Sequence, residues 1–122
     1  LKPNMVIAGI KCPQQASVPQ VAEATLRCLR RHVPAAVPGI VFLSGGQSPV
    51  DATDHLNEMN KLGPHPWEVS FSYGRALQAP VLAAWQGEET NAAAAQTAFA
   101  ERCRLNKLAR AGQYARSMEQ PD

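Results

Sequence analysis

Three short stretches of this chain carry residues whose types and spacing suit chemistry. Lys2 sits at the edge of a short apolar run, Leu1-Lys2-Pro3-Asn4-Met5-Val6-Ile7, that is interrupted at once by a proline. A lysine amine is a nucleophile only when neutral, so its free pKa of about 10.4 has to be lowered by burial or neighbouring cations. Its attack on a ketone gives an imine, whose protonated form withdraws electrons from the adjacent carbon and lets a carbon–carbon bond break. Taken alone, a lysine in a short strand is simply exposed. Ser44-Gly45-Gly46 follows an apolar segment, and glycines there let backbone N–H groups form a concavity that suits an anion. Glycines also make ordinary turns after strands. Ser72-Tyr73-Gly74-Arg75 offers a second such turn, with an arginine able to bind phosphate through two parallel hydrogen bonds near a helix start. A surface arginine is the alternative. His32, His55 and His65 show no metal-ligand spacing; His55 and Glu58, three apart, read as a solvent-facing pair on one helix face.

Alternating elements have to position these residues. Strand-like segments at Leu1–Ile7, Ile40–Leu43 and Val69–Phe71 are each followed by a helical stretch, the rhythm of βα units in a parallel sheet. The first helix is expected to start at Ser17 with Gln20 reaching back in a capping box, and to end near His32 ahead of Pro34. Val18, Val21, Thr25, Cys28 and Leu29 fall on its apolar face. Ser48, Pro49 and Asp51 together mark the start of the second helix. A third follows Gly74 with Leu77, Val81, Ala84 and Trp85 on one side and Pro80 inside it. A long alanine-rich helix then runs from about Asn91 to Ala111, with Ala92, Ala95, Phe99 and Cys103 as its buried stripe and Gly112 as its stop. Residues 113–122 are expected to form a loosely held tail after a unit spanning 1–112. A doubly wound sheet would give the same rhythm; glycine turns after two successive strands favour a barrel, which commonly binds phosphate there.

Leu1-Lys2-Pro3-Asn4-Met5-Val6, Phe42-Leu43-Ser44-Gly45-Gly46-Gln47-Ser48 and Phe71-Ser72-Tyr73-Gly74-Arg75-Ala76, in that order, resemble the class I fructose-1,6-bisphosphate aldolases over nearly the whole chain. The resemblance implies an α/β fold, the C-terminal portion of a (β/α)8 TIM barrel from the end of strand six through strand eight, with a long C-terminal helix. It implies reversible cleavage of fructose 1,6-bisphosphate to dihydroxyacetone phosphate and glyceraldehyde 3-phosphate, in glycolysis, through a Schiff base on Lys2. The sugar's 1-phosphate would be held by Ser44 and Gly45, by the backbone of Gly74 and by the side chain of Arg75. Ser72 would lie near the reacting carbons, and Gly46 would shape the turn. No cofactor and no metal is implied. The partners implied are sugar phosphates and, at full length, further copies of the chain. The family's proton-transfer groups lie upstream of its lysine, so the chain reads as part of something larger and as incompetent by itself, forgoing about 10²- to 10⁴-fold in rate per missing group. The tyrosine-ended tail of many animal relatives has no counterpart, and Tyr114 reads as a packing residue.

Composition fits this reading and excludes others. The chain has 122 residues, 45% of them hydrophobic and 18% charged, with a formal net charge of +2. Arg27, Arg30 and Arg31 cluster at a helix C-terminus, where they complement the dipole, so nucleic acid is not an expected partner. Three cysteines without C-x-x-C spacing argue against a disulfide framework or zinc site and suit a cytoplasmic protein. No apolar stretch approaches the roughly 20 residues that span a bilayer. Two alternatives remain: a related Schiff-base aldolase with another phosphorylated substrate, and a non-catalytic module that binds phosphate or serves assembly.

Overall fold

Residues 1–119 are described by the structure, a computed structural model. The elements are α1 (Val18–His32), β1 (Gly39–Phe42), α2 (Pro49–Lys61), β2 (Glu68–Phe71), α3 (Arg75–Trp85) and α4 (Ala92–Arg110), with short 3₁₀ turns at Glu89–Asn91 and Arg116–Met118. β1 and β2 pair in parallel, Gly39 opposite Glu68 through Phe42 opposite Phe71, as the alternation of elements predicts.

Leu1–Ile7 does not form a regular strand, yet it runs alongside β1. The Leu1 amine donates to the Gly39 carbonyl at 3.1 Å, and Val41 N–H donates to the Leu1 carbonyl at 2.9 Å. These two bonds place Leu1 opposite Ile40, so Lys2 lies level with Val41 and, through the β1–β2 register, with Ser70. One further rung, from Leu43 N–H to the Pro3 carbonyl at 3.0 Å, continues the pairing. The regular ladder is lost because Pro3 has no N–H to return to β1. Side chains still alternate: Lys2, Asn4 and Val6 are exposed, whereas Pro3 and Ile7 are half-buried and Met5 is buried.

Helices cover one face of this sheet. Ile40, Phe42 and Val69 pack there with Val21, Leu26 and Leu29 of α1, Leu56 and Met59 of α2, and Leu105 and Ala109 of α4. Fully burying a side chain of this size contributes about 1.5–3 kcal/mol, so this cluster dominates the stability of the unit. The opposite face carries Lys2, Val41, Leu43, Ser70 and Ser72, none of them fully buried.

The helix starts follow the sequence. At α1, Gln20 Oε1 accepts the Ser17 N–H at 2.9 Å. At α2, Ser48 Oγ accepts the Asp51 N–H at 3.1 Å, and Pro49 occupies the first turn, where its missing N–H costs nothing.

Helix faces depart from expectation in four places. Cys28 is exposed, while Ala22 and Leu26 complete the buried face of α1. In α3 only Ala76 is buried, and Trp85 is 42% exposed. In α4 the buried stripe is Ala95, Arg102, Leu105, Asn106 and Ala109, not Ala92, Phe99 and Cys103; Phe99 is 45% exposed. His55 points inward at 7% exposure rather than forming a solvent-facing pair with Glu58. In α4 and at His55 the cause is shared: polar side chains fill core positions because each finds a hydrogen-bond partner, which a rule of apolar periodicity does not foresee.

The segment after α4 is held rather than loose as far as Glu119. Tyr114 is 2% exposed, and Asn57 brackets its backbone, donating to its carbonyl and accepting from its N–H, both at 3.0 Å. Tyr114 Oη donates to Glu119 at 2.7 Å, and Arg102 pairs with the same carboxylate at 2.6 Å. Tyr114 is thus a packing residue, as expected from its place after the last helix. The rest of the expected tail, Gln120–Asp122, lies outside the described residues.

Candidate active site at the C-terminal end of the sheet

All three stretches singled out in the sequence lie on or beside one sheet. Ser44-Gly45-Gly46 leaves the C-terminal end of β1 and Ser72–Arg75 leaves the same end of β2. Ser72 N–H donates to the Phe42 carbonyl at 2.9 Å, which carries the β1–β2 pairing up to the base of both turns. Lys2 stands on the face away from the helices, exposed, three residues short of Ser44 in the ladder. At about 3.3 Å per residue that is about 10 Å along the sheet.

The first turn has a fixed shape. Ser44 is buried at 7% exposure, and its carbonyl accepts the Gln47 N–H at 3.1 Å. Gly46 has φ +78°, a left-handed conformation that side-chain-bearing residues rarely adopt. A Cβ on Gly45 would meet Leu43 Cδ1 at 3.1 Å and Asn4 Nδ2 at 3.7 Å, so the turn has little room for a side chain there. Asn4 Nδ2 donates to the Gly45 carbonyl at 3.3 Å, joining the lysine segment directly to the turn. Sequence reasoning missed Asn4, although it stands two residues from Lys2 on the same exposed side; the signal was an amide at strand alternation from that lysine.

The second turn opens α3. Gly74 precedes the helix, and its carbonyl accepts from Leu77 and Gln78 N–H, each at 3.0 Å. The N–H groups of the first helical turn have no partner inside the helix and, with the dipole, favour an anion. Arg75 is exposed at this end and makes no ion pair among the described residues; Lys2 makes none either. Tyr73 between them serves packing: it is 6% exposed, and its hydroxyl donates to the Ala52 carbonyl at 2.8 Å. Burial pushes that phenol well above its ordinary pKa, so it stays protonated.

Among the described residues no group of three or more His, Cys, Asp or Glu could hold a metal ion, and no helix is long and apolar enough to cross a membrane. The arrangement is that of a lysine amine on the open face of the sheet and two glycine-containing turns at the sheet's C-terminal end.

Comparison with known proteins gives matches over nearly the whole chain. The sequence profile of the glycolytic family described as fructose-bisphosphate aldolase class-I matches residues 1–122. Fructose-bisphosphate aldolase 1 of Toxoplasma gondii is 57% identical over 114 residues, covering 93% of this chain and 31% of that protein. Fructose-bisphosphate aldolase B of Gallus gallus is 57% identical over 118 residues, covering 96% of this chain and 32% of that protein. Among solved structures, a fructose-bisphosphate aldolase from Plasmodium falciparum, in complex with TRAP and a small molecule inhibitor, matches with a TM-score of 0.90 and 53% identity over 94% of this chain and 33% of its own. The chain spans about a third of the length of the curated relatives it matches.

Proposed function

The chain belongs to the class-I fructose-bisphosphate aldolases and is a portion of their (β/α)8 barrel, and from that premise we propose that the full-length protein carrying it cleaves fructose 1,6-bisphosphate reversibly into dihydroxyacetone phosphate and glyceraldehyde 3-phosphate. Lys2 is the imine-forming residue. Ser44 and Gly45 from one turn, and Gly74 and Arg75 from the other, take the 1-phosphate; Ser72 lies close to the reacting carbons, and Gly46 shapes its turn. The observation that carries this reading is the shared register: Lys2 sits level with Val41 and Ser70, and both turns leave the sheet at the end toward which that face runs.

The chemistry follows from those positions. Phosphate bound between the turns holds the ketose with its carbonyl back along the sheet, toward the Lys2 amine. The neutral amine adds to C2, water leaves, and the protonated imine accepts the electron pair released when the C3–C4 bond breaks. Fixing the phosphate converts the encounter of amine and ketone into a reaction within one complex. The residues that move protons and hold the second phosphate belong to other parts of the barrel, so the reaction requires the full-length protein. Three unpaired cysteines accord with a cytoplasmic setting, and the family reading carries assembly into a homo-oligomer.

Incubating the full-length protein with dihydroxyacetone phosphate, reducing with borohydride and mapping the adduct by peptide mass spectrometry tests the assignment. The expected product is a single modified peptide bearing the adduct on Lys2. An adduct on another lysine, or none in an active preparation, removes Lys2 from the mechanism.

A further inference from the structure

The Ser44-Gly45-Gly46 turn is fastened from behind by a side chain that the reaction does not use. Gln47 closes the turn through its backbone, and its side chain then reaches α2, where Oε1 lies 2.8 Å from Nδ1 of His55. An amide oxygen only accepts, so the ring carries its proton on Nδ1 and donates. The Gln47 amide nitrogen is buried and has no partner among the described residues, so the imidazole is what orients this amide. His55 is itself fixed, 7% exposed on a helix whose cap, Ser48, is the residue after Gln47. The path from ring to turn is therefore one hydrogen bond and one closed loop.

We propose that His55 is a positioning residue for the phosphate grip: by donating Nδ1–H to Gln47 it holds the Ser44-Gly45-Gly46 turn in the shape that presents Ser44 and the backbone N–H groups to the 1-phosphate. This rests on the assignment of that turn to phosphate made above. The charged groups facing the ring are Asp51 and Asp54 on α2 and Arg116 in the segment after α4. Burial holds the imidazole below its ordinary pKa against the two carboxylates, so the ring is neutral at neutral pH. Nδ1–H is present in the neutral and the charged ring alike, and the link to Gln47 survives acidification.

Half-saturating concentrations for borohydride trapping in the full-length protein, measured with dihydroxyacetone phosphate and with unphosphorylated dihydroxyacetone, test the role. His55→Leu fills the space without a donor and is expected to raise the value for the phosphorylated ketone about 3- to 10-fold, the worth of one net hydrogen bond, with the unphosphorylated ketone within about twofold. His55→Asn places an amide N–H where Nδ1–H stood and is expected to restore trapping to within about twofold of the parent. Gln47→Leu should reproduce the defect, and combining it with His55→Leu should add little, since both remove the same link. Equal loss on both ketones, no loss on either, or failure of the asparagine variant to rescue would overturn the role of His55. Ser44→Ala and Arg75→Ala separate the two layers. If they impair the phosphorylated ketone selectively and His55→Leu does not, only the positioning role falls; if they show no selectivity, the phosphate assignment falls and takes this proposal with it.

Discussion

Replacing Asn57 with leucine should release the segment that follows α4 while leaving the rest of the unit folded. Asn57 is 1% exposed and satisfies both backbone groups of Tyr114, each at 3.0 Å. Leucine has the same branched outline and the same number of side-chain heavy atoms but no hydrogen-bonding atom, so both groups lose their partner. Each buried polar group left unpaired costs about 1–3 kcal/mol. The segment has an escape: it can swing into water, giving up the packing of Tyr114 and the Tyr114–Glu119–Arg102 contacts. The variant therefore opens locally rather than unfolding, and a shift of about 2–3 kcal/mol in that opening is expected. At about 1.4 kcal/mol per factor of ten, this is about 30- to 140-fold faster exchange. Native-state hydrogen exchange of the full-length protein, read by mass spectrometry on peptides covering Tyr114–Glu119, measures it, with peptides from α1 as the internal standard. Acceleration of less than about threefold in the segment would refute the bracketing role, since even one orphaned group costs more than that. Equal acceleration in α1 would show instead that Asn57 supports the whole core.

Three other outcomes are expected. Arg75→Ala should raise KM more for phosphorylated than for unphosphorylated ketose, by about 10-fold or more, as loss of a charge-assisted hydrogen bond worth about 1.5–3 kcal/mol requires; equal effects would remove Arg75 from the phosphate site. Gly46→Ala, at φ +78°, should destabilise by about 1 kcal/mol in denaturant titrations, and a neutral result would mean that the turn relaxes. Burial lowers the pKa of His55, so the unfolded chain binds the proton more readily; the stability this confers is complete above the unfolded value of about 6.5 and is lost as pH falls through the lower folded value. Denaturation of His55→Asn between pH 7 and 5 should accordingly show a shallower loss than the parent, and an identical slope would contradict the shift.

Much of the frame could be read from the residues because its signals are local. Ser48-Pro49 and Asp51 fix the start of α2 within a few residues, and Ser17 with Gln20 does the same for α1. Lys2, Ser44 and Arg75 were singled out for another reason: the motifs around them resemble those of a family, and they stand close to elements whose ends the local signals locate. What could not be read depends on partners distant in sequence. Arg102 lies in the core because Thr53, the Pro49 carbonyl and Glu119 surround it, which the 19-residue pattern of α4 does not reveal. His55 turns inward because Gln47, eight residues earlier, offers it an oxygen. Residues 113–119 looked loose because their anchor is Asn57, on a helix more than fifty residues away.

The rung missing at Pro3 bears on how the Lys2 side chain is aimed. Sliding the first segment by one residue along β1 would put Lys2 and Asn4, which both have an N–H, in the bonding positions and complete the ladder, a gain of about 0.5–1.5 kcal/mol. The same slip would turn every side chain to the other face, placing the Lys2 ammonium among Ile40 and Phe42 and lifting Met5 out of the core. Burying an unpaired charge costs far more than one hydrogen bond returns. The backbone prefers one alignment and the side chains the other, and the side chains prevail. The direction of the Lys2 amine is thereby written into a hydrophobic pattern, and burial of Met5 decides the face on which that amine stands.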